Sequence, residues 1–179
     1  MGKKVLVITA SPRADSNTKK LANAFAKGAE ESGNEVFRFD AGQKKMAGCL
    51  ACNRCWSKGY ACVQEDDFLE LSLLLEKCDV LLISTPLYWL SFPAQVKGAI
   101  DRLYAYGGSG GPRPLAIKES LLFVCGEMPG GDIEYDPIIQ IYQTSAKFLG
   151  WKDCGVIRCG TSEIPDYMEK ATAFGRNIG

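Results

Sequence analysis

Histidine is absent from this 179-residue chain. Its absence excludes Cys-His dyads, Ser-His-Asp triads and every imidazole metal site. Net charge is absent too, with 21 Lys and Arg against 21 Asp and Glu. The charges are scattered, so neither a nucleic-acid surface nor a polybasic membrane patch is expected. Long apolar runs are also missing: "VLLIST" and "SLLFVCG" are far shorter than the roughly 20 residues a membrane helix needs. The N-terminal "KKVLVITA" has no extended apolar segment and no cleavage site, so no signal peptide is expected and the protein reads as cytoplasmic. Cysteine, by contrast, is plentiful, with eight residues. In a reducing compartment that number argues against a disulfide framework and for ligation, redox chemistry or burial.

Strand and helix patterns alternate along the whole chain. "KVLVITA" (Lys4–Ala10), "DVLLIST" (Asp79–Thr85) and "SLLFVCG" (Ser120–Gly126) are continuous apolar runs, as expected of strands buried on both faces. "EVFRFD" (Glu35–Asp40) alternates and reads as a strand nearer an edge, and "CGVIRCG" (Cys154–Gly160) as a short final strand. Between them, helical patterns place Leu21, Ala24, Phe25, Gly28 and Ala29 on one face, and Phe68, Leu71, Leu74 and Leu75 on another. Three more helices are expected within Phe92–Tyr106, Pro137–Leu149 and Glu163–Gly179. Five βα units without a linker or repeat predict one domain, residues 1–179, with a cysteine-rich insertion at about 43–65. The expected fold class is a doubly wound, five-stranded parallel α/β sheet of order 2-1-3-4-5 in three α/β/α layers. In such a sheet the ligand sits outside the carboxyl ends of the strands at the topological switch point. The loops after "VITA", "LLIST" and "LFVCG" should therefore converge.

The first of these loops is "SPRADSNT" (Ser11–Thr18). Hydroxyls at Ser11, Ser16 and Thr18, the Asn17 amide and the Arg13 guanidinium gather around a helix start, a combination that suits a phosphate. It is neither a Walker loop nor a GxGxxG fingerprint, and simple helix capping by Ser16 or Asn17 is the alternative. The second loop, "TPLYWLSFP" (Thr85–Pro93), puts Tyr88 and Trp89 at the switch point, where a flat ligand would stack. Packing of both rings against the next helix is the plainer reading. Together the loops suggest a ligand with a flat ring at one end and a phosphate at the other.

"SPRADSNT" followed by "TPLYWLSFPAQVKGAIDR" resembles the flavodoxin-like NADPH-dependent FMN reductases, over roughly Val5 to Leu149. "CLACNRCWSKGYAC" (Cys49–Cys62) resembles the C-x2-C-x2-C-x4–7-C run of the iron–sulfur flavoprotein branch. Ala10 and Ala51 depart from the glycines common there. The resemblance implies FMN held at its phosphate by Ser11, Arg13, Ser16, Asn17 and Thr18. Pro86, Leu87, Tyr88, Trp89 and Ser91 would lie along the isoalloxazine, with Gly126 and Glu127 closing the other side. It also implies NAD(P)H as a transient electron donor, a small-molecule acceptor such as a quinone or flavin, or ferredoxin as a partner, and a homodimer or homotetramer. With the chemistry on the flavin, no protein acid or base is required.

For Cys49, Cys52, Cys55 and Cys62 three readings stand. Four thiolates within fourteen residues suit a [4Fe-4S] cluster; zinc more often takes two separated C-x2-C pairs; free or redox-active thiols near the flavin are the third. Cys78, Cys125, Cys154 and Cys159 read as small buried hydrophobes. Asp66 and Asp67 read as helix-start residues, and Asp101–Arg102 as a helix ion pair or solvated face. "GGSGGPRP" (Gly107–Pro114) reads as a flexible loop whose Arg113 could guard a pocket or meet a nucleotide phosphate. Three functions follow: an FMN-dependent NAD(P)H oxidoreductase, a flavin-plus-cluster electron carrier, or an FMN-binding module whose cysteine run is structural or zinc-bound.

Overall fold

Two faces of the same strands are apolar, and that decides the architecture of the computed structural model, which describes residues 2–57, 59–107, 113 and 115–178. The strands are β1 (Lys4–Thr9), β2 (Glu35–Asp40), β3 (Val80–Pro86), β4 (Glu119–Gly126) and β5 (Lys152–Gly160). They form one sheet in the order β2-β1-β3-β4-β5, every pairing parallel. On β1, Val5 and Val7 point into one core and Leu6 and Ile8 into the other, the two-residue alternation of a pleated strand. Both sets are buried, so each face needs a helical cover.

On one face lie α1 (Asn17–Glu31) and α6 (Ile164–Arg176), packed through Leu21, Phe25 and Ala171 against Phe123 and Ile157. On the other lie α3 (Phe68–Leu75), α4 (Ala94–Arg102) and α5 (Asp136–Leu149), contributing Phe68, Leu71, Val96 and Ile138. Each large side chain removed from water in these cores contributes on the order of 1.5–3 kcal/mol. The expected fold class and strand order are both present. The departures lie at the edges. The expected helix through Tyr106 is α-helical only to Arg102 and tightens to a 3-10 turn over Leu103–Tyr106. β5 begins two residues earlier than its apolar pattern, across a register shift between Ser120 and Leu122. A one-turn helix, α2 (Arg54–Ser57), stands in the cysteine insertion where only a loop was expected. Of the expected flexible loop Gly107–Pro114, residues 108–112 and 114 lie outside the described residues. No described helix is long and apolar enough to cross a membrane.

Candidate functional site

At the carboxyl edge of the sheet, the loops after β1, β3 and β4 bound one cavity of about 720 Å³, within the size range of small-molecule sites. The first wall is the β1–α1 loop. Ser11, Ser16 and Thr18 are buried yet polar, and all three line the cavity with Arg13, Asp15 and Asn17. Ser16 caps α1, its Oγ accepting from the Lys19 amide at 3.3 Å and lying 3.2 Å from Thr18 Oγ1. The capping role and the cavity-facing role therefore coincide in one side chain. α1 has no acidic residue in its first turn, so the positive end of its dipole is left unneutralised by its own sequence. Ser84, fully buried on β3, donates to the Thr18 carbonyl at 2.7 Å, pinning the first turn of the helix to the sheet.

The second wall is a hairpin that the sequence does not announce. Tyr88 and Ser91 exchange backbone hydrogen bonds of 3.1 Å in both directions. The two residues between them, Trp89 and Leu90, have φ of 47° and 62°. Positive φ at both central positions is the mark of a type I′ turn, whose usual residues are Asn and Gly. Holding two bulky residues there costs on the order of 1–2 kcal/mol each. The turn lifts Trp89 to 98% exposure at the cavity rim. Pro86, Leu87 and Tyr88 line the cavity as well; Ser91 does not, its backbone being committed to the hairpin.

The third wall is the end of β4. The buried Tyr135 hydroxyl accepts from the Gly126 amide at 3.0 Å and faces the carbonyls of Met128 (2.7 Å) and Cys159 (2.8 Å), donating to one at a time. Burial pushes its phenol up to about 12. A Cβ on Gly126 would stand 2.9 Å from that oxygen and 3.4 Å from Leu87, so only glycine leaves this floor undisturbed. Glu163 holds the next loop by accepting from the Gly130 and Gly160 amides at 2.7 and 2.6 Å. Glu127, Met128, Glu134 and Thr161 complete the lining. Cys125, expected to be a buried hydrophobe, also faces the cavity. A hydrogen bond with its register partner Cys159 holds its thiol below the ordinary value against the opposing effect of burial, and the same contact pushes Cys159 up. Cys78 follows the expectation, burial raising its thiol to about 11. The cavity carries one guanidinium and three carboxylates. An anion there would be held by Arg13 together with hydroxyls and helix-start amides.

The cysteine insertion forms a second, smaller depression. Cys49, Cys52, Cys55 and Cys62 all line it, and all eight cysteines of the chain are free thiols. The amide two residues on donates to three of these sulfurs: Ala51 N–H to Cys49 Sγ (3.4 Å), Arg54 N–H to Cys52, and Gln64 N–H to Cys62 (3.5 Å). Positive φ at Ala51 (51°) and Asn53 (55°) turns the chain around Cys52. The Arg54 contacts pull the Cys52 thiol down. Burial, and then the nearness of Cys49, Cys52 and Cys62, pushes Cys55 up. No three of these or other acidic or sulfur side chains converge on a single-ion site among the described residues.

The insertion is fastened by a residue whose sequence reading needs correction. Arg102, expected in a helix ion pair with Asp101 or on a solvated face, is 2% exposed. It pairs with Asp66 through two hydrogen bonds (2.7 and 2.5 Å) and donates to the Ala47 carbonyl at 2.5 Å. Asp101 pairs with Lys97 instead. Asp66, expected only to start a helix, also accepts from the Ala47 and Phe68 amides. α4 can receive this segment because Gly98 lies against it: a Cβ there would stand 2.8 Å from the Ala47 carbonyl oxygen. Trp56 adds a hydrogen bond of 3.2 Å to the Tyr104 carbonyl and a ring contact at 5.5 Å. Arg113 does not reach the cavity; its guanidinium is committed to Glu76 (2.6 Å) and the Gly59 carbonyl.

The NADPH-dependent FMN reductase family profile matches residues 3–138. An iron-sulfur flavoprotein of Archaeoglobus fulgidus is 40% identical over 104 residues, 58% of this chain and 47% of that protein. The chain spans about half the length of the curated relatives it matches. Among solved structures, an NAD(P)H:quinone oxidoreductase from Methanothermobacter marburgensis superposes with a TM-score of 0.77 at 19% identity, covering all of both chains. An FMN-dependent NADH-azoreductase from Bacillus anthracis, in complex with FMN, gives 0.74 at 16% identity, again over all of both chains. At these identities the two structures speak for the fold alone.

Proposed function

The chain belongs to the NADPH-dependent FMN reductase family, and from that premise we propose that it is an FMN-dependent oxidoreductase that takes electrons from NAD(P)H and delivers them to a small acceptor such as a quinone or a free flavin. The observation that carries this reading is the single cavity in which a hydroxyl-rich helix start faces an aromatic hairpin. Ser11, Ser16, Thr18, Arg13 and the α1 amides would hold the phosphate. Leu87, Tyr88 and Trp89 would lie along the ring system, and Gly126 leaves the floor open for close approach. FMN, when bound, supplies the two-electron chemistry. The protein's part is to orient the ring, to keep one face of the cavity open for donor and acceptor in turn, and to exclude water along the Pro86–Leu87 side. No side chain needs to act as acid or base. The test is direct. Purified protein loaded with flavin should release FMN on denaturation in a one-to-one ratio, and anaerobic NADPH should bleach the bound flavin. Loading that fails at saturating FMN sinks the proposal.

A second reading concerns the cysteine depression: a [4Fe-4S] cluster held by Cys49, Cys52, Cys55 and Cys62. It is supported by the amide donors on three of the four sulfurs, a setting that favours thiolate, and by the mutual crowding that bound iron would relieve. A cluster binds its four cysteines through four different irons, so the sulfurs need not converge on one point. Iron and acid-labile sulfide counted after anaerobic purification distinguish the cases. Four of each per chain support the cluster, and one zinc or no metal removes it. With a cluster present the chain would also serve as an electron carrier, with ferredoxin as a fitting one-electron partner. We further propose a homodimer or homotetramer, in keeping with an indole left standing at the rim, which sedimentation would test.

A further inference from the structure

Arg102 has three nitrogens and only two are used. Its terminal nitrogens serve Asp66 and Ala47, but Nε, buried, has no hydrogen-bond partner among the described residues. An unpaired buried donor on a charged group costs on the order of 1–3 kcal/mol or more, and native structures rarely tolerate one without a purpose. Arg102 is also part of the wall of the cysteine depression, together with the four cysteines. The thiols of Cys62 and Cys49 are near enough to act on its charge. The guanidinium is therefore a fixed cation with one idle N–H at the boundary of a sulfur-lined site. The two charged terminal contacts hold its plane, so Nε is not free to find a partner elsewhere.

We propose that Arg102 sets the reduction potential of the cluster, its Nε–H donating to a cluster sulfur and its charge favouring the reduced state. The inference rests on the cluster reading of the preceding section. Reduction adds one electron to the cluster and makes the site one unit more negative, with no bond formed or broken. A buried cation and an N–H···S hydrogen bond both stabilise the more negative form. Asp66 limits the effect by neutralising part of the charge and, at the same time, keeps the guanidinium in place.

The test uses the full chain, reconstituted anaerobically with iron and sulfide, counted for iron, and titrated with dithionite while EPR follows the reduced cluster. Arg102→Gln should shift the one-electron equilibrium at least tenfold toward the oxidised cluster, a midpoint about 59 mV lower. Arg102→Lys, which keeps the charge but loses the fork, should fall between. Because removing Arg102 strands the Asp66 carboxylate, Asp66→Asn/Arg102→Gln is measured alongside. In the unmutated chain carrying 15N-arginine, pulsed EPR should detect a coupled nitrogen that persists in Arg54→Lys, which removes the other nearby guanidinium. A variant with four irons and an unchanged midpoint, or a reduced cluster with no coupled nitrogen, overturns the role of Arg102 alone. A chain that takes up no iron overturns the cluster reading, and this inference with it.

Discussion

The large cavity and the cysteine depression are built by opposite strategies. The cavity is a gap between strand ends, and its walls inherit their rigidity from the sheet: Ser84 pins the helix start, Tyr135 pins the β4 end, and Glu163 pins the next loop. Its phosphate-facing wall is mostly hydroxyls and amides, which bind without changing charge. The depression is an insertion laid over α4, and its order comes from a few charged contacts, Asp66 to Arg102 above all. It crowds four thiols into one small space, and burial with the nearness of the other three pushes Cys55 up. Among the described residues the two sites share no lining residue. They are joined by α4, nine residues or roughly 13 Å long, which begins just after the hairpin and ends at Arg102.

The largest expected effect breaks the comparison at its chemical root. Cys55→Ser should abolish iron binding while leaving FMN stoichiometry at one, read from the visible spectrum and metal analysis. Loss of FMN as well would mean that the two sites are one cooperative unit. Next, Ser16→Ala removes a cap and a cavity-facing hydroxyl together. It should lower stability by about 1 kcal/mol and weaken FMN binding about tenfold, as measured by denaturant midpoint and flavin fluorescence; iron content should not change. Replacing Trp89-Leu90 with Asn-Gly supplies the residues the turn prefers. It should stabilise the apoprotein by about 1–2 kcal/mol while weakening FMN retention, so calorimetry and flavin off-rate should move in opposite senses. The smallest effect is acid sensitivity. Burial acts to raise the Asp66 carboxyl, but the Arg102 hydrogen bonds and charge, together with the Ala47 and Phe68 amides, outweigh it and hold it below the ordinary value. Its contribution to stability is complete above the unfolded value near 3.9 and is lost as pH falls through the lower folded value. Hydrogen exchange should therefore show the insertion loosening below about pH 4 before the sheet does.

How much of this is legible in the sequence depends on what kind of contact carries it. β1, β3 and β4 are legible because burial on both faces leaves uninterrupted apolar runs, and with them come the strand order and the convergence of Ser11–Thr18, Leu87–Trp89 and Gly126. The hairpin tip is not, because Trp89-Leu90 contradicts turn propensity and is closed by the backbone bonds between Tyr88 and Ser91. Ser91, which the resemblance to the family places along the ring system, closes the hairpin with its backbone. Arg102 reads as a surface residue since its partners Asp66 and Ala47 lie 36 and 55 positions away, and local patterns do not record distant pairing. The cavity role of Cys125 follows from its place at the last turn of a strand end. Its position just before Gly126 was the signal available for it.

The chain holds three tryptophans, and the fold has distributed them one to each region. Trp89 stands in water beside the cavity, Trp56 lies on Tyr104 beside the cysteines, and Trp151 is buried in the core. Their indoles sample different polarities, so their emission separates by wavelength. A flavin entering the cavity would darken the reddest component, and metal entering the insertion would darken the intermediate one. Unfolding alone would redden the bluest. The molecule thus carries its own spectroscopic record of which compartment has been filled, without any added label.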